Sequence, residues 1–397
     1  MKKILYIAPA CYPVNGAEAI VNIKLLRTLL QSNEFDVDIV SKKYKVTNYP
    51  SASAESYGIE SSKLHIVEVD NKVNLKTIWE TSLCLFKFGV TMKGAHWAYA
   101  ALHVVEELVK QTHYDYILTK NAPSYLLGYY LKKKYGLKWV ASWNDPYPHD
   151  KYPYPYGKGW NYSTMNIQRE ISRMRKADIH IFPNDRIKSW MQHYLAVPET
   201  NIRIVPHVLI PQTAKRPQIQ NELRLIHSGS LTAPRNPENL FRALARILSE
   251  DPSIKIKLSI LGKMDENSLN LINELHLQES IKFLGNVAYD DSIALLSNYD
   301  VAVIVEADCK EGIFLPTKVA DFMSVNIPIL SLSPRTGVLN DLFVAGNIPY
   351  FASVDSIDDI AECIHALYQD FKRNDIRQNK IPHEYTSQYV VETYQKL

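Results

Sequence analysis

The chain is poor in cysteine, with four in 397 residues, and Cys11, Cys84, Cys309 and Cys363 stand far apart with no CxxC pair. That excludes a zinc knuckle and a disulfide framework. No apolar run reaches the roughly 18 to 20 residues of a membrane span. The start, MKKILYIAPACYP, enters a strand-like run at once where a signal peptide would carry its apolar core. A cytoplasmic protein is therefore expected. Glycine and proline, 14 and 21 residues, are no more abundant than in an ordinary globular chain, which excludes collagen-like and low-complexity classes. Charge of one sign is lacking too. The net charge is +3, and the basic residues are dispersed and match no recognised nucleic-acid module, so no nucleic acid is expected as a partner.

What the chain does have is length. Its 397 residues are about two to three times the usual domain size, and two packed domains are the expectation. The charge divides unevenly between the halves. Residues 1–200 carry 26 Lys and Arg against 18 Asp and Glu, a balance of +8, whereas residues 201–397 carry 19 against 24, a balance of −5. A basic first half suits an anionic membrane surface or a phosphorylated ligand, and equally an ordinary solvated surface.

Short apolar runs at 4–8, 37–40, 64–69, 116–119, 139–143 and 179–182 read as strands. Helical stripes lie between several of them. Ala19, Ile23, Leu26 and Leu30, for example, share one helix face. This is the βαβ rhythm of a parallel sheet. Residues 205–222, VPHVLIPQTAKRPQIQNE, are Pro- and Gln-rich and weakly periodic, the signature of an interdomain linker. The rhythm then restarts with strands at 225–228, 256–261, 281–284, 301–305 and 327–332, and helices at 237–248, 269–277 and 317–325. The expectation is an α/β protein with two doubly wound domains, 1–205 and 223–375, joined by a linker at 206–222. A helical tail after them should pack elsewhere than on the second sheet. In such folds ligands bind outside the carboxyl ends of the strands.

The candidate residues lie at those ends. The first strand-to-helix turn, APACYPVNGAEAI, has the single glycine Gly16 and no GxGxxG, which disfavours a NAD or FAD site. Gly16 is either a plain turn or a place where an anion approaches backbone N–H groups at a helix start. In the second half, LIHS runs into Gly229 and Ser230 and then TAPRNPENL, with Arg235 just before a helix, Asn236 as its N-cap and Pro237 as its first residue. Arg235 reads as a surface side chain or as a bidentate phosphate clamp. The segment EADCKEGIFLPTKVADFMSVNIP carries Glu306, Asp308, Lys310 and Glu311 in a loop, then Lys318 and Asp321 on one face of a helix. That spacing serves either a salt bridge worth a few tenths of a kcal/mol or a cation for a diphosphate with a carboxylate for the two ribose hydroxyls.

The order of these motifs resembles the retaining GT-B glycosyltransferases of the group 1 family, glycosyltransferase family four, over nearly the whole chain. GSLTAPRNP is similar to the family's G-x-L-x-x-x-K/R turn, which implies that Gly229, Ser230 and Arg235 meet the donor diphosphate, with Ser230 replacing a usual basic residue. Gly285, Asn286 and Val287 match its G-x-V loop, whose backbone contacts the nucleotide base. EGIFLPTKVADFM resembles the E-G-F-G-L-P and E-A-M-A segment, although Glu311 and Asp321 stand further apart than the family's two glutamates. Read from the helix, PTKVADF resembles P-S-K-L-x-E-Y-L and puts Lys318 on the diphosphate and Asp321 on the ribose. Glu311 is then the first choice for the acid near the donor sugar and Glu306 the second. In the first domain, ASWNDPYPH resembles the segment ending in H-D-x-x-P, which places Asn144 and Asp145 toward sugar or acceptor, with Asn144 where a histidine is frequent. His207, at the domain crossing, reads as structural.

The resemblance implies a GT-B fold whose two Rossmann-like domains face across a cleft, with the tail at 376–397 returning to the first. It implies transfer of a sugar from a UDP- or GDP-type donor to a hydroxyl of a glycan or polyprenyl-linked acceptor in bacterial surface polysaccharide synthesis. The anomeric configuration is retained, and neither cofactor nor metal takes part. Arg235 and Lys318 would stabilise the leaving diphosphate, Gly16 would let a loop close on it, and Glu311 and Asp145 would act at the reacting centre. No nucleophile is assigned, and domain closure would exclude water. The aromatic and basic stretch at 77–101, with LKKKYGLK and residues 169–176, reads either as a peripheral contact with anionic lipid or as helix packing. A nucleotide-sugar epimerase and an inactive GT-B binding subunit stay open beside the transferase.

Overall fold

Runs that are apolar on both faces become central strands of parallel sheets, and runs that alternate become edges. In the computed structural model, which describes every residue except 15, 46–52, 71–73, 93, 158–162 and 213–220, this rule orders two sheets. The chain divides into two units. One is made of Met1–Pro153, Gly157–Val208 and Glu384–Leu397, the other of Tyr154–Tyr156 and Leu209–His383.

The first unit runs β1 (Lys2–Ile7), α1 (Gly16–Gln31), β2 (Phe35–Tyr44), β3 (Leu64–Val69), α2 (Leu75–Phe88), α3 (Ala95–Gln111), β4 (Tyr116–Lys120), α4 (Ser124–Tyr135), β5 (Trp139–Ser142), α5 (Thr164–Met174), β6 (Ile179–Phe182), α6 (Asp185–Leu195) and β7 (Ile202–Ile204). Its sheet has the order β3-β2-β1-β4-β5-β6-β7, and every pairing is parallel. Ile4 to Ile7 of β1 are fully buried, as a central strand requires. The LHIVEV alternation of β3 marks an edge.

The second unit runs β8 (Leu223–Ser228), α7 (Glu238–Glu250), β9 (Ile256–Leu261), α8 (Glu266–Glu274), β10 (Ile281–Gly285), α9 (Tyr289–Leu296), β11 (Val301–Val305), α10 (Lys318–Ser324), β12 (Ile329–Ser333), α11 (Val338–Val344), β13 (Tyr350–Ser353) and α12 (Ile357–Lys372). Its all-parallel sheet has the order β10-β9-β8-β11-β12-β13. Both sheets are Rossmann-like. Their strand order reverses between β1 and β4 in one and between β8 and β11 in the other, the switch points where doubly wound folds bind ligands.

The last helix, α13 (Ser387–Gln395), belongs to the first unit. Val390 and Tyr394 are buried in its core, Tyr116 Oη donates to the Tyr394 carbonyl at 3.2 Å, and Tyr389 Oη donates to the Ile204 carbonyl at 3.0 Å. The tail departs from the expectation in where it crosses. Residues 376–383 stay with the second unit, because Asn379 Nδ2 donates to the Ile327 carbonyl at 2.6 Å while its Oδ1 accepts from Ile329 N at 3.1 Å. The first unit likewise extends to Val208, and most of the expected linker, 213–220, lies outside the described residues. A second correction concerns α7. It begins at Glu238 with Pro237 as N-cap, because Asn236 Oδ1 accepts from Glu238 N at 2.9 Å and caps from one residue further out than expected. The short strands β7 and β13 are additions to the sequence reading.

The central pair of the second sheet is closed at one end by a charge pair. Arg224 and Asp300 precede the register Leu225↔Val301. Asp300 accepts from Arg224 Nε at 3.2 Å, Nη2 at 3.0 Å and the Arg224 amide at 2.8 Å. Removing one partner leaves the other charge half-desolvated in the sheet. Asp300→Ala should therefore cost about 2–3 kcal/mol, and the double change Arg224→Met with Asp300→Leu should recover much of it. The check is the thermal unfolding midpoint of the full chain, and an unshifted Asp300→Ala midpoint would remove this account.

Candidate active site

The second switch point gathers most of the expected donor residues. Gly229 follows β8 directly and has φ +132°, and its amide donates to the Leu261 carbonyl at 2.7 Å. A β-carbon on Gly229 would lie 2.5 Å from Lys318 Nζ. Only glycine lets the ammonium come this close to the backbone. Glu306 follows β11 and extends its pairing, its amide donating to the Leu332 carbonyl at 2.9 Å. It is buried, with Arg235 Nε 3.2 Å from Oε1 and Nη2 3.4 Å from Oε2. Tyr156, which packs with this unit, donates to Glu306 Oε2 at 3.2 Å. Its ring stands under the Arg235 guanidinium at 5.6 Å and edge-on to Phe314 at 4.7 Å.

Lys318 opens α10, and burial pushes its ammonium down to about 8. Glu306 opposes that shift, Arg235 adds to it, and Asp321 opposes it. Asp321, one turn on and buried, accepts from Tyr289 Oη at 2.6 Å. Of the two candidate acids, Glu306 lies directly against Arg235. Glu311 stands further along the same loop, where Gly312 is pinned by its amide to the Thr336 carbonyl at 2.9 Å. Ser230 is exposed beside Gly229. Val287 is exposed after β10, and its loop is tied back because Gly262 N donates to the Gly285 carbonyl at 2.8 Å while Gly262 itself abuts the Gly229 carbonyl.

The sequence reading missed His227. It is fully buried on β8 with Nδ1 3.0 Å from the Val303 carbonyl. A carbonyl only accepts, so the proton sits on Nδ1 and Nε2 is an acceptor. Nε2 has no partner among the described residues and lies 3.8 Å from where a Gly229 β-carbon would be. Burial, with Lys318 adding to it, holds this imidazole well below its ordinary pKa. Its periodicity signal was that of an ordinary core position in LRLIHS.

The first unit builds a separate polar network at its own switch point. Lys120 ends β4, buried, and donates to Ser142 Oγ at 2.8 Å and Asn144 Oδ1 at 3.1 Å. Asn144 N donates to Asn121 Oδ1 at 2.7 Å, and Asn121 Nδ2 donates to Glu18 Oε1 at 2.9 Å. Burial lowers Lys120 to about 8 and raises Glu18, and Asp145 raises Glu18 further. Gly16 starts α1 with φ +82° and open space where a β-carbon would be. Asn144, Asp145 and Gly16 were expected here. Lys120, Asn121 and Glu18 were not, although a lysine ending an apolar strand was a readable signal.

Comparison with known proteins matches each unit to a glycosyltransferase family model. The profile of the glycosyl transferases group 1 family matches residues 211–382, and that of glycosyltransferase family 4 matches residues 83–213. Residues 211–382 are thus similar to the group 1 glycosyltransferases and residues 83–213 to glycosyltransferase family 4. An uncharacterized glycosyltransferase of Methanocaldococcus jannaschii is 25% identical over 253 residues, which cover 60% of this chain and 59% of that protein. Sucrose-phosphate synthase from Thermosynechococcus elongatus has the same fold at TM-score 0.67 and 13% identity, over 99% of this chain and 94% of its own. HepE of Anabaena, solved with UDP and glucose, does so at 0.65 and 13%, over 100% and 99%. A putative UDP-N-acetylglucosamine 2-epimerase from Listeria monocytogenes does so at 0.57 and 14%, over 99% and 94%. The fold is GT-B.

The charge of Glu306 holds part of the Lys318 proton in place. Glu306→Gln should therefore lower the Lys318 midpoint further below about 8. Lysine side-chain NMR across pH 6 to 11 would read the two midpoints, and an upward or absent shift in the variant would contradict the placement.

Proposed function

We propose that the protein transfers a sugar from a nucleoside-diphosphate donor of UDP or GDP type to a hydroxyl of a glycan or polyprenyl-linked acceptor. The reaction proceeds with retention at the anomeric carbon and without a metal, in the assembly of a surface polysaccharide. The observation that carries this reading is the pair of cations, Arg235 and Lys318, held around Gly229 with Glu306 and Asp321 at the β8/β11 switch point. Two cations beside a glycine turn match a diphosphate. As the bond from C1 to the diphosphate oxygen breaks, Arg235 and Lys318 take up the charge that develops on that oxygen. The acceptor oxygen bonds to C1 on the same face, and its proton passes to the leaving phosphate.

Asp321, braced by Tyr289, would accept from the ribose hydroxyls, and the Val287 loop would meet the base through its backbone. Glu306 or Glu311 would hold sugar hydroxyls. Glu306 also keeps Arg235 neutralised until a diphosphate competes for it. In the first unit, Asp145 and Asn144 would serve the acceptor and Gly16 the closure of its loop on the donor. The likeness to a putative epimerase favours a second reading, in which the same donor pocket releases an altered sugar without an acceptor. Incubating donor alone and following the sugar by NMR separates the two.

A thermal-shift panel of UDP, GDP, ADP and their sugars tests the donor reading. A ligand at 100 times its Kd should add about 2.7 kcal/mol to the stability of the unit that binds it. Arg235→Ala and Lys318→Ala should abolish most of the shift. Because the Lys318 ammonium is lost as pH rises through about 8, nucleotide affinity should fall above that pH by up to about tenfold per unit, and Lys318→Arg should flatten the dependence. No stabilisation by any nucleotide would overturn the reading. Transfer that survives a chelator is the expectation for a metal-free site, and its loss would overturn that part.

A further inference from the structure

Helix α2 is turned inside out. At 100° per residue its sequence LKTIWETSLCLFKF places Leu75, Ile78, Trp79, Leu85 and Phe86 on one side and Thr77, Cys84 and Phe88 on the other. A helix that packs on a sheet in water turns its apolar stripe inward. Here the larger apolar side faces out. Leu75 is 86% exposed, Phe86 87%, Trp79 64%, Ile78 53% and Leu85 44%, whereas Thr77, Cys84 and Phe88 are buried. The helix is capped at its start and held to its neighbours through Cys84 and its carboxyl end. Asn74 and Thr77 form a reciprocal capping box, Cys84 Sγ donates to the Ala95 carbonyl at 2.8 Å, and Arg173 Nε donates to the Phe88 carbonyl at 2.6 Å. Nothing in the packing of this unit calls for Trp79 and Phe86 to stand in solvent.

The border of this face is cationic. Lys76 and Lys87 line one edge of it, with Lys87 over the Tyr130 ring at 4.8 Å, and the one carboxylate of α2, Glu80, lies beside them 3.8 Å from Lys76. Next to its carboxyl end lies α5, whose outward side carries Met165, 62% exposed, with Arg169 and then Arg175 and Lys176. The one acid of α5, Glu170, is buried. An apolar stripe with a Trp and a Phe, edged by lysines and arginines, is the chemistry of an interfacial helix on anionic lipid. A second copy fits less well, because a two-fold contact would set the cationic edges of both copies around one interface with only Glu80 of each α2 to match them.

We propose that α2 lies in the plane of an anionic membrane, with Leu75, Trp79 and Phe86 in the boundary between headgroups and acyl chains and Lys76 and Lys87 on the headgroups. This deepens the reading of a lipid-linked acceptor and rests on it for its purpose, while attachment itself is measurable without any transfer. The experiment is sedimentation of the full chain with phosphatidylcholine vesicles, with and without phosphatidylglycerol. Binding is expected only to the vesicles containing phosphatidylglycerol. Trp79→Ser with Phe86→Ser should weaken it by at least about tenfold, and Lys76→Gln or Lys87→Gln by about fivefold each, the equivalent of ~1 kcal/mol per cation. The exposed positions can be changed without touching the core, so the variants should keep the wild-type unfolding midpoint and nucleotide shift. That nucleotide shift reports the donor site separately from the membrane. Absence of wild-type binding to anionic vesicles, equal binding by the Trp79→Ser, Phe86→Ser variant, or conversion of a wild-type dimer to monomer by that variant would each overturn the proposal.

Discussion

The buried carboxylate of Glu306 pairs with Arg235 and lends its field to the Lys318 ammonium at the point where the second sheet reverses its strand order, and the surrounding structure is arranged to keep that group together. Burial has weakened the hold of Lys318 on its proton, and the like charge of Arg235 adds to that against the opposing charges of Glu306 and Asp321. The glycine at 229 lets the ammonium lie against the backbone, and the loops after β8, β9 and β10 are tied to one another through Gly229, Gly262 and Gly285. The carboxylate is fixed by strand pairing with β12 and not by a free rotor at the end of a loop. A diphosphate entering this place would meet cations already oriented, with no cost of gathering them.

The fold was legible because its signal is periodic and local. Apolar runs such as ILYI and VAVIV are buried on both faces in a parallel sheet, and the stripe from Ala19 to Leu26 faces that sheet. What the pattern could not supply was the end of each element. Asn236 caps through a side chain one residue further out than its type suggests, and residues 376–383 stay with the second unit because of two hydrogen bonds from Asn379, a residue with no periodic signature. β7 and β13, of three and four residues, are too short for alternation to show.

The site was legible where a residue type is rare in its setting. Arg235 before a helix and Lys318 with Asp321 on a short one stood out against apolar neighbours, and the structure pairs Arg235 with Glu306, whose charge also reaches Lys318. The placement of Glu306 and Glu311 relative to Arg235 required the third dimension. Both lie in one acidic loop, and only strand pairing shows that Glu306 continues β11 into the site. His227 was hidden for the opposite reason, since it occupies a core position in a strand and its chemistry appears only when Nδ1 is seen to be spent on Val303. Lys120 is the counterpart in the first unit, a cation ending a buried strand and held by Ser142 and Asn144.

Binary patterning failed instructively at α2. The sequence shows an amphipathic helix, and the default inference turns its apolar side to the core. The side that packs is instead Thr77, Cys84 and Phe88, held against its neighbours by the bonds from Cys84 to the Ala95 carbonyl and from Arg173 to the Phe88 carbonyl. Amphipathicity therefore fixes that a helix has two faces without fixing which solvent each one meets. The lopsided charge of the chain acquires a location from this. The basic surplus of residues 1–200 is not spread as a uniform solvated skin, since α5 turns arginines outward while burying its one acid, next to a helix that leaves its tryptophan and phenylalanine uncovered. Exposed apolar area of this kind marks an interaction surface, and its cationic edge suits a partner that is apolar and anionic together.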